Sequence, residues 1–215
     1  PDHLDRHGSM AGYAAAKAEI FARQQPEDLA VLGQDDAMTV ELARAVRGRL
    51  VPISGLRRTA GGIWAEGASL RDDAGEIADL RDAPALPGSH NAQNAAAAAA
   101  VALDRGVTRA QLAAGLASFP GLPHRQERVG TIGGVSFVNY SKATNADSTA
   151  RALASYDRVV WIAGGMAKDG GIESLAPFFP RIAKALLIGR DAPMLAATLA
   201  AAGVPHEIAV TLDAA

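Results

Sequence analysis

A chain of 215 residues, 49% of them apolar, is long enough to bury one large core or two modest ones. A net charge of −2 with acids and bases interspersed gives no basic stripe for nucleic acid or a membrane surface, and 5% aromatics leave few rings for stacking bases. Cysteine is absent, which excludes disulfides, cysteine zinc sites and thiol nucleophiles. No apolar run reaches the roughly 20 residues of a bilayer-spanning helix, so no membrane insertion is expected. The chain opens on PDHLDRHG, without an initiator methionine or a signal peptide, and a fragment of a longer polypeptide is expected.

In chain order, residues 10–24 predict a helix, with Met10, Tyr13, Ala14, Lys17, Ile20 and Phe21 on one face at the 3–4 spacing. Residues 28–33 (DLAVLG) and 50–55 (LVPISG) predict strands, with a loop and helix between them. The glycine-rich stretch 58–80, containing Ile63, Trp64 and Leu70, reads as an antiparallel hairpin region at a sheet edge. A helix is expected from Ser89–His90 through the alanine run to Leu103, with Gly106 as its stop, and a second over 108–119. The segment 120–125 (PGLPHR) holds two prolines and a glycine, fits neither element type, and marks a domain boundary between 1–121 and 122–215. Beyond it the expected order is strand 134–139, helix 146–155, strand 158–163, helix 173–184, strand 185–188, helix 192–202 and strand 206–210. That alternation predicts an α/β fold with a parallel sheet and right-handed crossovers.

Several polar residues sit where chemistry would need them. Lys17 lies between Tyr13 and Phe21 on the apolar helix face. Either its stem snorkels with the ammonium in water, or the amine is desolvated, favours its neutral form and takes up CO₂ as a carbamate, an oxygen ligand for Mg²⁺. His3 and Asp2 precede it in the loop before the helix. Asn91 and Asn94, three apart in the first turn after His90, share a face beside a helix N-terminus; Ser89 or Asn91 capping the helix is the plainer alternative. His124 and Arg125 follow the hinge, where arginine can clamp a phosphate or form an ordinary surface ion pair. Lys142 and Thr144 follow one strand, and Lys168, between Gly164–Gly165 and Gly170–Gly171, follows the next. Two lysines at the carboxyl ends of neighbouring strands predict a site for anionic groups, the crevice where open α/β sheets bind ligands. The Walker A spacing is absent.

The stretches DHLDRHGSMAGYAAAKAEIF (2–21), LPGSHNAQNAAAA (86–98), GLPHRQERV (121–129), GVSFVNYSKATNADSTARAL (134–153) and IAGGMAKDGG (162–171) together resemble the Mur ligase family, in family order across nearly the whole chain. The resemblance implies the end of a central ATPase-domain sheet (1–121), followed by an incomplete Rossmann-like, amino-acid-binding domain (122–215). It implies a cytoplasmic, monomeric, ATP-dependent ligase. Within the family it favours the member that adds D-glutamate to UDP-N-acetylmuramoyl-L-alanine through an acyl phosphate, in peptidoglycan synthesis. On this resemblance Lys17 is the carbamylated metal ligand and His3 serves a second magnesium. Asn91, Asn94, His124, Arg125, the residue at 140 and Lys142 contact ATP, while Thr144 and Lys168 bind substrate. Tyr140 departs from the aspartate the family usually has there, and Met166 replaces a polar residue. The N-terminal domain, the P-loop and the C-terminal end are missing from the pattern, so the chain alone is expected to be inactive. A folylpolyglutamate synthase-like ligase and a non-catalytic binding remnant are the competing expectations.

Overall fold

The computed structural model describes residues 4–165 and 171–215. The chain divides into two compact units, Pro1–Gly121 and Leu122–Ala215.

The first unit begins with helices α1 (Leu4–His7) and α2 (Met10–Ala22), the latter capped by the Ser9 hydroxyl, which accepts from the Gly12 N–H. Strand β1 (Leu29–Gly33), helix α3 (Ala37–Ala43) and strand β2 (Arg49–Ser54) follow. Strands β3 (Ile63–Glu66), β4 (Ser69–Asp72) and β5 (Gly75–Asp79) complete a five-stranded sheet in the order β1-β2-β3-β4-β5. β1, β2 and β3 run parallel, and β3, β4 and β5 form an antiparallel meander at one side.

Helix α4 (Ser89–Asp104) packs on β1, β2 and β3, and α5 (Arg109–Ser118) on β5. The alanine run explains the first contact. Ala92, Ala95, Ala96, Ala99 and Ala100 are the buried residues of α4, at i, i+3, i+4, i+7 and i+8, so one smooth face meets the sheet. With no long side chain between them, backbone and sheet approach closely, and the larger residues Ile53, Ile63, Leu70 and Ile77 supply the other half of the core. Gly88, at φ 86°, turns the chain into α4, and Gly106, at φ 84°, turns it out. A capping box fixes the start of α5: Thr108 accepts from the Gln111 N–H, and the Gln111 side chain accepts from the Thr108 N–H. Arg109 then reaches both carboxylate oxygens of Asp72, at 2.7 and 2.6 Å.

The second unit departs from the expected order in two places. Residues Glu127–Ile132 form a strand, β6, that the sequence reading omitted, and it pairs antiparallel with β7 (Val135–Asn139) as a separate two-stranded sheet. β7 was expected over 134–139, whereas β6 is exposed along almost its whole length and buries no face that would mark it as a strand in sequence. Residues Glu173–Arg181 form a 3-10 helix in place of the α-helix expected over 173–184, because Pro177 and Pro180 remove backbone donors. The strand that follows starts earlier than expected, at Ile182.

The remaining elements are α6 (Ala146–Ala154), β8 (Val159–Gly164), β9 (Ile182–Ile188), α7 (Ala192–Ala201) and β10 (His206–Val210). β8, β9 and β10 make a three-stranded parallel sheet in the order β10-β9-β8. Leu153 of α6, Leu175 and Phe179 of the 3-10 helix, and Leu195 and Leu199 of α7 cover Ala185 and Leu187 of β9.

The close helix–sheet approach makes a directional prediction. Ala96→Leu, at a fully buried site, should lower stability by about 1–3 kcal/mol through overpacking. Ala98→Leu, on the exposed side of the same helix, should change it by less than about 0.5 kcal/mol. Urea unfolding of the two variants measures both; equal effects would contradict the packing account.

Candidate functional site

In the first unit the polar groups gather at the carboxyl ends of β1 and β2. Asp35, just past β1, accepts the Ser54 hydroxyl at 2.6 Å, the Gly55 N–H at 2.7 Å and the Gln93 carboxamide at 2.7 Å. One carboxylate thereby ties two strand exits to the first turns of α4. Ser54 is fully buried, and its oxygen also accepts the N–H groups of Leu56 and Arg57, which closes the loop after β2. Gly55 lies so close to α4 that any Cβ there would collide with the Ser89 carbonyl oxygen. Asp36 caps α3 by accepting from Met38 and Thr39.

Asn91 and Asn94 lie in the first turns of the same helix, α4. The capping alternative fails, since Gly88 occupies the cap position and no side chain caps α4. Asn91 instead donates from Nδ2 to the Pro87 carbonyl at 2.8 Å, and Asn94 donates to Asn91 Oδ1 at 3.3 Å. The two carboxamides are therefore linked on one face, as their spacing predicts.

Lys17 projects from α2. It is exposed, its Nζ lies 5.5 Å from the Tyr13 ring centroid, and α2 has no buried residue among those described. Tyr13 in turn meets the His7 ring edge-on, at 5.3 Å. His3 lies outside the described residues. No group of three or more His, Asp or Glu side chains able to hold a metal occurs among the described residues.

In the second unit, the site forms where the β6–β7 hairpin meets the turn before it. His124 and Gln126 have φ of 63° and 51°, a left-handed backbone that costs a non-glycine residue about 1–2 kcal/mol each. Gln126 is buried, and its Nε2 donates to the Ser155 hydroxyl beyond α6 at 3.2 Å. Arg125, between the two, is exposed. The Lys142 N–H donates to the His124 carbonyl at 3.2 Å, so the loop after β7 lies against this turn. Neither the Arg125 guanidinium nor the Lys142 ammonium has a hydrogen bond or ion pair among the described residues. Thr144 is exposed next to Asn145, whose side chain accepts the Ser148 N–H at 2.8 Å and caps α6. Tyr140 is half-buried, and its carbonyl accepts the Ala143 N–H at 2.9 Å.

Lys168 lies outside the described residues. The strands before the two lysines are nonetheless not neighbours. β7 belongs to the hairpin sheet and β8 to the parallel sheet, which corrects the expectation of adjacent exits in one sheet. The contact the sequence reading missed is between the Lys142 loop and the His124–Arg125 turn. Asp35, Gln93, Glu127 and Asn139 were also missed, although Glu127 stands in the stretch GLPHRQERV (121–129).

Residues 1–102 match the Mur ligase middle domain. The whole chain is 53% identical over 222 residues to a UDP-N-acetylmuramoylalanine–D-glutamate ligase of Rhizobium johnstonii, covering 46% of that relative. A ligase of the same name from Caulobacter vibrioides is 50% identical over 93% of this chain and 44% of its own length. The chain belongs to the Mur ligase family. It spans a little under half the length of the curated relatives it matches. The Mur ligase fold extends across both units. The MurF structure from Acinetobacter baumannii aligns with a TM-score of 0.72 at 20% identity, covering 95% of this chain and 47% of that one. MurC from Thermotoga maritima aligns at 0.71 and 19% identity, covering 98% of this chain and 49% of that one.

Asp35→Ala would strip three donors of their acceptor and should cost about 1–3 kcal/mol of stability. Hydrogen exchange should accelerate at Gly55 and the first turn of α4 more than at Ala99. Uniform acceleration along the helix would contradict the role of Asp35 as a local tie.

Proposed function

We propose that this sequence is the part of an ATP-dependent amide-bond ligase that binds nucleotide and acceptor amino acid, joining D-glutamate to UDP-N-acetylmuramoyl-L-alanine with release of ADP and phosphate. The observation that carries the reading is a pair of cations, Arg125 and Lys142, without an ion pair among the described residues, brought near each other by the hydrogen bond from the Lys142 N–H to the carbonyl of His124, the residue before Arg125. The names of relatives at 50–53% identity support the choice of acceptor.

When bound, ATP supplies the phosphoryl group that converts the substrate carboxylate into an acyl phosphate. Phosphoryl transfer is governed by stabilising charge on the equatorial oxygens and by positioning. Arg125 presents a planar fork suited to two phosphate oxygens, and Lys142 a point charge. Asn91 and Asn94 offer carboxamides for the nucleotide, and His124 lies in the same turn as Arg125. Thr144 and Lys168 are assigned to the substrate region, where a lysine holding the carboxylate of the incoming amino acid leaves its amine end uncovered.

Lys17, as a carbamate, is the residue this reading assigns to Mg²⁺, with His3 serving a second ion. The described residues do not assemble a metal-ligand set. A cytoplasmic, monomeric enzyme of peptidoglycan synthesis is part of the same proposal. No helix among the described residues is long and apolar enough to cross a membrane.

A chimera tests the reading. This chain replaces the matching segment of the Rhizobium johnstonii relative, and ADP release is followed. The expected result is release that requires D-glutamate and UDP-N-acetylmuramoyl-L-alanine, within about tenfold of the relative's own rate. A folded chimera indifferent to D-glutamate would refute it. In that chimera Tyr140→Asp should tighten ATP binding about 5–10-fold by restoring a charged hydrogen-bond acceptor; unchanged affinity would mean the position does not touch the nucleotide.

A further inference from the structure

We propose that Glu127 and Asn139 are positioning residues, a latch that fixes the Arg125 turn to the Lys142 loop and so presents two cations as one site for a phosphate chain. The ligand class rests on the nucleotide-binding reading above; the latch itself rests on geometry.

One oxygen of Glu127, Oε2, accepts both the His124 N–H at 2.8 Å and the Asn139 Nδ2 at 3.3 Å. The same Asn139 Nδ2 lies 2.9 Å from His124 Nδ1, while Asn139 Oδ1 accepts the Ser141 N–H at 3.1 Å. The His124 carbonyl then takes the Lys142 N–H. Two segments 15 residues apart in sequence are thus cross-linked by a carboxylate, a carboxamide and one backbone bond.

The turn needs that support. Left-handed backbone at His124 and Gln126 is unfavourable on both sides of Arg125, and strain of this kind persists only where surrounding contacts over-determine it. Gln126 is held from within by Ser155, and His124 is held by Glu127 and Asn139. Among the described residues, the charged ends of Arg125 and Lys142 engage no partner. A fixed backbone beneath free cationic heads lowers the ordering cost when an anion arrives. The latch contacts no ligand itself.

The test uses the 215-residue chain in amide-resolved NMR, with inorganic tripolyphosphate as the probe. In the native chain, tripolyphosphate should shift the resonances of Arg125 and Lys142. Glu127→Ala should weaken that binding about 5–10-fold and speed hydrogen exchange at the Lys142 amide about tenfold or more. Glu127→Gln, whose Oε1 can accept the same two donors, should restore both. Asn139→Ala, which keeps the Glu127–His124 bond, should loosen only the Ser141–Lys142 side. The latch is overturned if Lys142 exchange is unchanged in Glu127→Ala, if Glu127→Gln behaves like Glu127→Ala, or if tripolyphosphate leaves Arg125 and Lys142 unshifted. Inactivity of the chimera described above, with the tripolyphosphate results intact, would refute the ligase reading and leave the latch standing.

Discussion

Where strands end, backbone N–H groups lose their ladder partners, and a buried N–H without an acceptor costs as much as a lost hydrogen bond. Both units solve this with side-chain oxygens. Asp35 takes the part-buried Gly55 N–H after β2, Glu127 and Asn139 take the exposed His124 and Ser141 N–H groups on either side of the β6–β7 hairpin, and Asn145 takes the Ser148 N–H in the first turn of α6. Each acceptor does a second job, because it also fixes the path of a loop or turn next to a candidate site residue. In the first unit the loop is drawn against the helix that carries Asn91 and Asn94. In the second it is drawn against the turn that carries Arg125. Removing these acceptors would leave the strands intact and the sites without a defined shape.

The alanine face of α4 is the complementary constraint. Close approach of helix and sheet requires small side chains on the helix and, at one point, no side chain at all on Gly55. That approach brings Gln93 within reach of Asp35. Packing and polar bonding therefore act together: the alanines set the distance, and the carboxylate sets the register of the first turn.

Much of this was legible in the sequence, for physical reasons that vary by element. The alanine helix declared itself through composition and its flanking glycines, and the asparagine pair through a three-residue spacing that a helix brings to one face. The β6 strand stayed hidden because both its faces are exposed, and the 3-10 helix at Glu173–Arg181 because its hydrophobic spacing mimics an α-helix while its prolines forbid one. The ties through Asp35 and Glu127 were invisible for another reason. Asp35 and Gln93 are 58 residues apart, and no local pattern relates them. Sequence placed Lys142 beside the wrong partner for the same cause: strand order in a sheet is a long-range property. Its structural neighbour is the His124–Arg125 turn.

The most direct measurement is a nucleotide-bound structure of the chimera in which this chain completes the Rhizobium johnstonii relative. The account predicts phosphate oxygens within hydrogen-bonding distance of Arg125 and Lys142, with Glu127 and Asn139 still bonded to His124 and Ser141. Phosphates bound elsewhere, with those two cations left in solvent, would contradict it.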